Sequence, residues 1–189
     1  FGKAVIPSYH FENADVIVSF GADFLGTWVS PEEYTLQYVS NRNSKSLKNK
    51  KMSRHIQFET GMSLTGTNAD TRIPVKPSQL GIALVKLYNE VSGTTLPGSP
   101  KLEDNATTNA VKVVAKELIA AKGKALVVCG SNDMHIQLIV NAINEAVGAN
   151  GTTISWSSPF LTRQGIDSEF SALVDDMNAG KISSLLIYD

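Results

Sequence analysis

The sequence is poor in the residues on which a disulfide framework, a metal centre or a membrane anchor would rest. Cys129 is the single cysteine among 189 residues. That excludes a disulfide framework and any iron–sulfur cluster held within this chain, because such a cluster needs about four thiolates. The three histidines, His10, His55 and His135, are far apart and lack HExxH or i,i+4 spacing, so no metal-site signature is present. No apolar run reaches the about 18 residues of a transmembrane helix. Neither sign of charge is in excess, with 17 Lys and Arg against 18 Asp and Glu. The formal net charge of −1 argues against nucleic acid as the main partner. What remains, 42% hydrophobic and 19% charged residues, is too apolar for a disordered tail and enough to bury a substantial core. No signal peptide is visible. The chain opens at Phe1, and its last apolar run, Ile182–Tyr188, stops at Asp189. An ending where a strand would hand over to its loop is expected of a piece of a larger chain.

Short β-branched runs alternate with helical periodicities. Asp15–Phe20 reads as a buried parallel strand closed by Gly21. Ser30-Pro31-Glu32-Glu33 is a helix start, with a Ser cap, Pro at the first helical position and acids in the first turn, and predicts a helix to about Val39. Arg54–Glu59 is the next strand. Thr71–Val75 is an extended edge piece because of Pro74, and Ser78–Val91 has helical spacing of Leu80, Leu84, Val85, Leu87 and Tyr88. The Gly-, Pro- and Ser-rich stretch 92–105 reads as a linker. It separates a first half, residues 1–91, from a second, residues 106–189. The second half predicts a helix over Ala106–Ala121, a strand over Lys124–Cys129 and a helix over Asp133–Val147. A strand over Thr152–Trp156, a helix over Asp167–Ala179 and a last strand over Ile182–Tyr188 follow. This alternation implies right-handed βαβ units. The predicted fold is α/β: three layers, α/β/α, built from two Rossmann-like halves with mainly parallel sheets. Ligands of such folds sit at the carboxyl ends of the strands.

Two loops attract attention there. Gly21-Ala22-Asp23-Phe24-Leu25-Gly26 follows the first strand, and Gly61-Met62-Ser63-Leu64-Thr65-Gly66 follows Glu59. Both have the glycine spacing of a phosphate loop, but neither continues with Lys-Ser or Lys-Thr, which excludes a P-loop NTPase. Neither is GxGxxG, so the usual dinucleotide fingerprint is missing. The loops fit either backbone amides facing a ligand phosphate or two tight turns. Cys129 closes an apolar strand and reads as a small buried hydrophobe rather than a nucleophile. There is no GxSxG elbow. Two Asn-x-Thr sequons, at Asn105 and Asn150, read as a cap and a turn. The stretch Arg42, Lys45, Lys48, Lys50, Lys51 and Arg54 contains no acid. It reads as a solvated loop after a helix, with a docking patch for an acidic partner as the alternative.

Several short motifs resemble the molybdopterin oxidoreductase family along nearly the whole chain. Ala14–Asp23 resembles the family's AD-strand-G-x-N segment, and Ile56-Gln57-Phe58-Glu59 the strand usually written IDPR. Ala69-Asp70 followed by Lys76-Pro77 resembles the AD…RPGTD element, with the helix from Ile82 after it. Asn178-Ala179-Gly180-Lys181 before Ile182–Tyr188 resembles the approach to the last strand. Within the family, Ser19–Trp28 and Met62–Asp70 resemble the large iron–sulfur subunit of quinol:cytochrome c oxidoreductases of the alternative complex III type.

The resemblance implies a region of a respiratory iron–sulfur subunit that is a structural scaffold. Its clusters would lie elsewhere in the parent chain, its partners would be other subunits of a membrane-bound complex, and its location would be the periplasmic side of the bacterial inner membrane. No membrane insertion by this segment, no nucleic acid and no catalytic residue are expected. The first alternative is the molybdopterin guanine dinucleotide-binding part of an active molybdoenzyme. The second is a free-standing nucleotide-binding module. The positions that would border the cofactor are Gly21, Ala22, Asp23, Glu59, Thr60, Ser63, Gly130 and Ser131. Three departures remove complementarity to it. Asp23 stands where Asn is usual, Gly61 where an arginine is usual, and Leu80 where the last Asp of Pro-Gly-Thr-Asp accepts hydrogen bonds from guanine. No cofactor is therefore expected in this chain.

Overall fold

The computed structural model describes residues 5–48, 52–161 and 165–187. In chain order the elements are β1 (Ile6–Tyr9), a 3-10 turn at Phe11–Asn13, β2 (Val16–Phe20), α1 (Pro31–Ser40), α2 (Ser44–Lys48), β3 (Arg54–Glu59), α3 (Leu64–Thr67) and β4 (Thr71–Pro74). There follow α4 (Pro77–Ser92), α5 (Asn105–Ala120), β5 (Ala125–Cys129), α6 (Met134–Ala146), β6 (Ile154–Phe160) and α7 (Asp167–Asn178). The chain divides into a larger unit, Pro7–Pro159, and a smaller one made of Phe1–Ile6 and Phe160–Asp189.

The larger unit is a three-layer α/β/α structure around a four-stranded parallel sheet in the order β4-β3-β2-β5. Every residue of β2 is buried, as its run of Val, Ile and Phe demands. Val16 is aligned with Arg54 of β3 on one side and Ala125 of β5 on the other. The two sequence halves therefore share one sheet, the strand after the linker lying beside the first strand before it. Side-chain alternation sorts the two faces. Phe20 and Phe58 stack on one, ring centroids 4.5 Å apart, and Arg54 reaches Glu117 of α5 from the same face. Helices α4 and α5 pack together here, and their buried Leu84, Leu87, Val111 and Leu118 each contribute roughly 1.5–3 kcal/mol. On the other face His55 meets Tyr38 of α1, and Phe11 stacks on Phe24 at 4.4 Å.

The helix boundaries follow local chemistry. Asp104 accepts hydrogen bonds from the amides of Ala106 and Thr107 at the start of α5, and Asp133 does the same for His135 and Ile136 at the start of α6. Gly93 ends α4 with a φ of 69°, which only glycine adopts freely. Ser30 occupies the cap position of α1, but its side chain makes no capping hydrogen bond; Pro31 and the two glutamates carry that boundary.

One edge of the sheet is closed by side chains. The outward-facing carbonyl of Ala125 accepts from Thr153 Oγ1 at 2.8 Å. Asn144 of α6 receives the Val127 amide on its Oδ1 at 2.9 Å and donates to the Val127 carbonyl at 2.7 Å. Gln137 Nε2 donates to the Cys129 carbonyl at 3.1 Å. These bonds do the work of a further strand. That explains why the run expected as a strand at Thr152–Trp156 does not extend the parallel sheet. It forms β6, which starts at Ile154 and pairs with β1 in a separate two-stranded sheet.

In the smaller unit, α7 is a helix with no buried residue. The last run, Ile182–Tyr188, was expected to be a strand. Residues 182–187 are not a strand, and Leu186 is 99% exposed; Tyr188 lies outside the described residues. An apolar run becomes a strand only where a partner edge receives it, and residues 182–187 have no ladder partner among the described residues.

Candidate functional site at the carboxyl ends of the strands

Strands β2, β3 and β5 all end toward the same rim, and the residues singled out from the sequence sit there. Gly21 has a φ of 63° and donates its amide to the Phe58 carbonyl at 2.8 Å, while the Gly130 amide donates to the Phe20 carbonyl at 3.0 Å. The loops after β2 and β5 are in contact. A Cβ built on Gly130 would stand 2.4 Å from the Gly21 carbonyl oxygen and 3.1 Å from Ala22 Cα. Ala22 is fully buried, and its carbonyl accepts from Ser19 Oγ at 3.0 Å.

Asp23 and Glu59 converge on the short helix α3. Asp23 Oδ1 accepts from the amide of Thr65 at 2.9 Å and from its hydroxyl at 2.8 Å, and the same hydroxyl accepts from the Leu25 amide. Glu59, 3% exposed, accepts from Ser63 Oγ at 2.6 Å, from the Ser63 amide, from Gln57 Nε2 at 3.2 Å and from Arg72 Nε at 2.5 Å. Ser63 Oγ accepts in turn from the Gly66 amide at 2.9 Å. Burial opposes ionisation of Glu59, but the hydrogen bonds from Ser63, Arg72 and Gln57 outweigh it and hold the carboxyl below its usual range. Both second glycines of the two loops are shaped by these acids. A Cβ on Gly26 would fall 2.1 Å from Asp23 Oδ2, and one on Gly66 would fall 1.9 Å from Glu59 Oε1.

Gly21, Ala22, Asp23, Glu59, Ser63 and Gly130 are thus drawn together. Thr60 is adjacent but points its hydroxyl to the Val75 carbonyl, 2.9 Å away. Ser131 belongs to the turn before α6, its hydroxyl accepting from the Asp133 amide at 3.1 Å. Leu80 Cδ2 lies 3.6 Å from the Cβ position of Gly21, so an apolar contact occupies the place read as guanine-facing. Sequence reasoning missed Arg72, the cation on Glu59. No local signal marks it: Arg72 reaches Glu59 because the pairing of β3 with β4 sets it beside Gln57, two positions from Glu59 on the same face.

The basic stretch resolves partly into fold contacts. Arg42 donates to the Ser53 carbonyl at 2.7 Å and to Asp70, and lies 4.7 Å from the Tyr38 ring centroid. Arg54 bonds Glu117 and Thr71. Lys45 and Lys48 fall in or beside the short helix α2, in place of a plain loop; Lys50 and Lys51 lie outside the described residues. Cys129 is buried, and burial pushes its thiol up from the usual value, against an opposing hydrogen bond from the Ser131 amide, as expected of a small core hydrophobe.

His55 is fully buried between Tyr38 and Gln57, with Nδ1 3.1 Å from the Tyr38 hydroxyl and Nε2 3.4 Å from Gln57 Oε1. Desolvation lowers its pKa to about 4; the Gln57 hydrogen bond, Asp70 and Glu59 act the other way, and Arg42 adds to the lowering. The folded state therefore refuses a proton that the unfolded chain takes up. Stability is complete above the unfolded value near 6.5 and falls as pH drops toward 4. The expected loss from this residue is about 3 kcal/mol at pH 4. Urea unfolding across pH 7.5 to 4 should show the decline, and His55→Gln should flatten it; an unchanged slope in the variant would refute the assignment.

Among the described residues, no group of three or more His, Cys, Asp or Glu side chains is placed to hold a metal ion. Among the same residues no helix is long and apolar enough to cross a membrane. None of the eight rim residues lines the cleft of about 700 Å³ at the opposite, amino ends of the strands. In comparisons with known proteins, no family model and no curated sequence matches the chain.

Proposed function

We propose that the chain is the molybdopterin-oxidoreductase-like region of a respiratory iron–sulfur subunit of the quinol:cytochrome c oxidoreductase type. It serves there as a scaffold without its own cofactor, on the periplasmic side of the bacterial inner membrane. Electron transfer belongs to clusters elsewhere in the parent chain, and the partners are the other subunits of the complex. The motifs at Ala14–Asp23, Ile56–Glu59 and Met62–Asp70 support the family part of this reading.

One observation carries the scaffold part. The amides and hydroxyls at the start of α3, which a diphosphate would use, are already taken by Asp23 and Glu59. An anion entering there would meet two carboxylates and displace bonds that hold the rim together. The cation nearest that point, Arg72, is committed to Glu59. The guanine-facing position is the aliphatic Leu80. These residues do not fit a guanine dinucleotide. Each lost charge-assisted partner costs about 1.5–3 kcal/mol, roughly tenfold to a hundredfold in affinity.

Isothermal titration with GDP at micromolar concentration is therefore expected to give no binding heat. Mass spectrometry of the native parent subunit is expected to give iron without molybdenum. Stoichiometric molybdenum would restore the molybdoenzyme alternative, and GDP binding alone the free-standing nucleotide module.

A further inference from the structure

Gln79 is the third residue of α4, the position from which a glutamine ordinarily turns back to the start of its own helix. Here it reaches across instead. Its Oε1 accepts from the amide of Glu103, just ahead of α5, at 3.1 Å. A backbone amide can only donate, so this bond fixes the oxygen toward Glu103 and leaves Nε2, with its two hydrogens, on the other side. Among the described residues Nε2 has no hydrogen-bond partner, although Gln79 is only 9% exposed. It is not sealed from solvent either: among the same residues the unpaired side-chain atoms closed off from water are Glu12 Oε2, Arg42 Nε and Ser53 Oγ. A largely buried donor without a partner costs stability, and one with an open approach calls for an acceptor from outside the chain.

The approach is a cavity of about 360 Å³ at the carboxyl end of β4, between the amino ends of α4 and α5 and within the larger unit. That volume lies at the lower end of small-molecule sites. Gln79, Glu103 and Lys76 line it as one connected group, because Lys76 Nζ holds Glu103 Oε2 at 2.9 Å. The second acid of the cavity, Asp104, is committed to the start of α5, where it accepts from the Thr107 hydroxyl and from the amides of Thr107 and Ala106. Pro74, Val75 and Leu102 supply an apolar wall.

Charge selects the occupant. Two carboxylates against one ammonium repel an anion. A cation would find both acids already engaged and would give Gln79 nothing to bond. A neutral group meets the need when it carries a carbonyl oxygen for Gln79 Nε2 beside an N–H for Glu103 Oε1, and a primary carboxamide has both on one carbon. We propose that this cavity binds a small neutral carboxamide, its oxygen on Gln79, its nitrogen on Glu103 and its apolar body against Pro74, Val75 and Leu102. The inference does not rest on the scaffold reading, because none of the eight rim residues lines the cavity.

The test is a nitrogen-15 NMR titration of the chain with isobutyramide, with isobutyrate and methyl isopropyl ketone as probes of the same shape. Isobutyramide is expected to shift the Val75, Lys76, Gln79 and Glu103 amides saturably. Isobutyrate should bind at least tenfold more weakly because it is charged, and the ketone more weakly because it has no N–H. Gln79→Glu keeps an oxygen for the Glu103 amide and turns the free donor into an acceptor. It should weaken isobutyramide binding about tenfold while leaving the melting temperature unchanged or higher, since an acid in the first turn suits α4. Three results would each overturn the proposal: no saturable shift with isobutyramide; equal binding of isobutyrate or the ketone; or a Gln79→Glu variant that binds as before. The first two dispose of the ligand class on the unaltered chain, and the third removes Gln79 from the site.

Discussion

Glu59→Ala is expected to cost about 3–5 kcal/mol of folding stability, the usual result of removing one partner of a buried ion pair. The carboxylate answers four donors at once: the Arg72 guanidinium, the Ser63 hydroxyl and amide, and the Gln57 side chain. Alanine leaves all four facing a void; the Gln57 side chain is fully buried, and Ser63 is part-buried. Arg72 is 23% exposed at its side chain, so water relieves part of its loss and places the value nearer the lower figure. Glu59→Gln keeps the volume and one acceptor oxygen, and should recover a third to a half of the deficit. Urea unfolding at neutral pH measures both. A loss below about 1 kcal/mol for Glu59→Ala would mean that these bonds contribute no more than a surface pair does. The sign with pH is fixed by the lowered pKa. Stability from Glu59 is complete above the unfolded carboxyl value and lost as pH falls through the folded one.

Gly130→Ala is expected to cost about 3 kcal/mol, at the upper end of what overpacking does. The added methyl would meet the Gly21 carbonyl oxygen at 2.4 Å and the Ala22 Cα at 3.1 Å. Both obstacles are backbone, so no rotamer relieves them. The loops after β2 and β5 would have to part, and the Gly130 amide bond to the Phe20 carbonyl would stretch or break. Gly61→Ala is the matched control. Nothing lies within 4 Å of a Cβ there, and the change should stay within about 0.5 kcal/mol. Equal midpoints for the two variants would show that the β2 and β5 loops do not touch.

The parallel core was legible because its strands are unbroken apolar or β-branched runs. Val16–Phe20 and Ala125–Cys129 can sit nowhere but between two helix layers, and Arg54–Glu59 was bounded correctly at both ends. What escaped was pairing that depends on partners far away in sequence. Strand β1 carries Pro7 and only four residues, too weak a signal to read without β6 opposite it. Strand β6 was found but given to the wrong sheet, because nothing local announces that Asn144, Thr153 and Gln137 already occupy the edge of β5. Ile182–Tyr188 has strand composition and no ladder over its described residues. The two loops of the rim were found from glycine spacing, and Glu59, Thr60, Gly130 and Ser131 from the family resemblance. The rim's chemistry was not, because Asp23 read as a charge opposed to a diphosphate and Glu59 as an acid bordering a cofactor, whereas Thr65, Ser63 and Arg72 complete them internally.

The strand order also sets the sequence of events by which the sheet can assemble. Strands β2, β3 and β4 neighbour one another in space and follow one another in sequence, so they can zip together soon after collapse. The other side of β2 stays open until β5 arrives, roughly a hundred positions later in the chain. The longer loop adds only about 1 kcal/mol of closure entropy over the β2–β3 connection, a small equilibrium effect. Its weight is kinetic. Until α4 and α5 have folded back across the sheet, the central strand presents a flat, apolar, unpaired edge to its surroundings. Synthesised from its amino end, the chain would pass through a stage in which that edge is exposed and the strand that covers it has not yet left the ribosome.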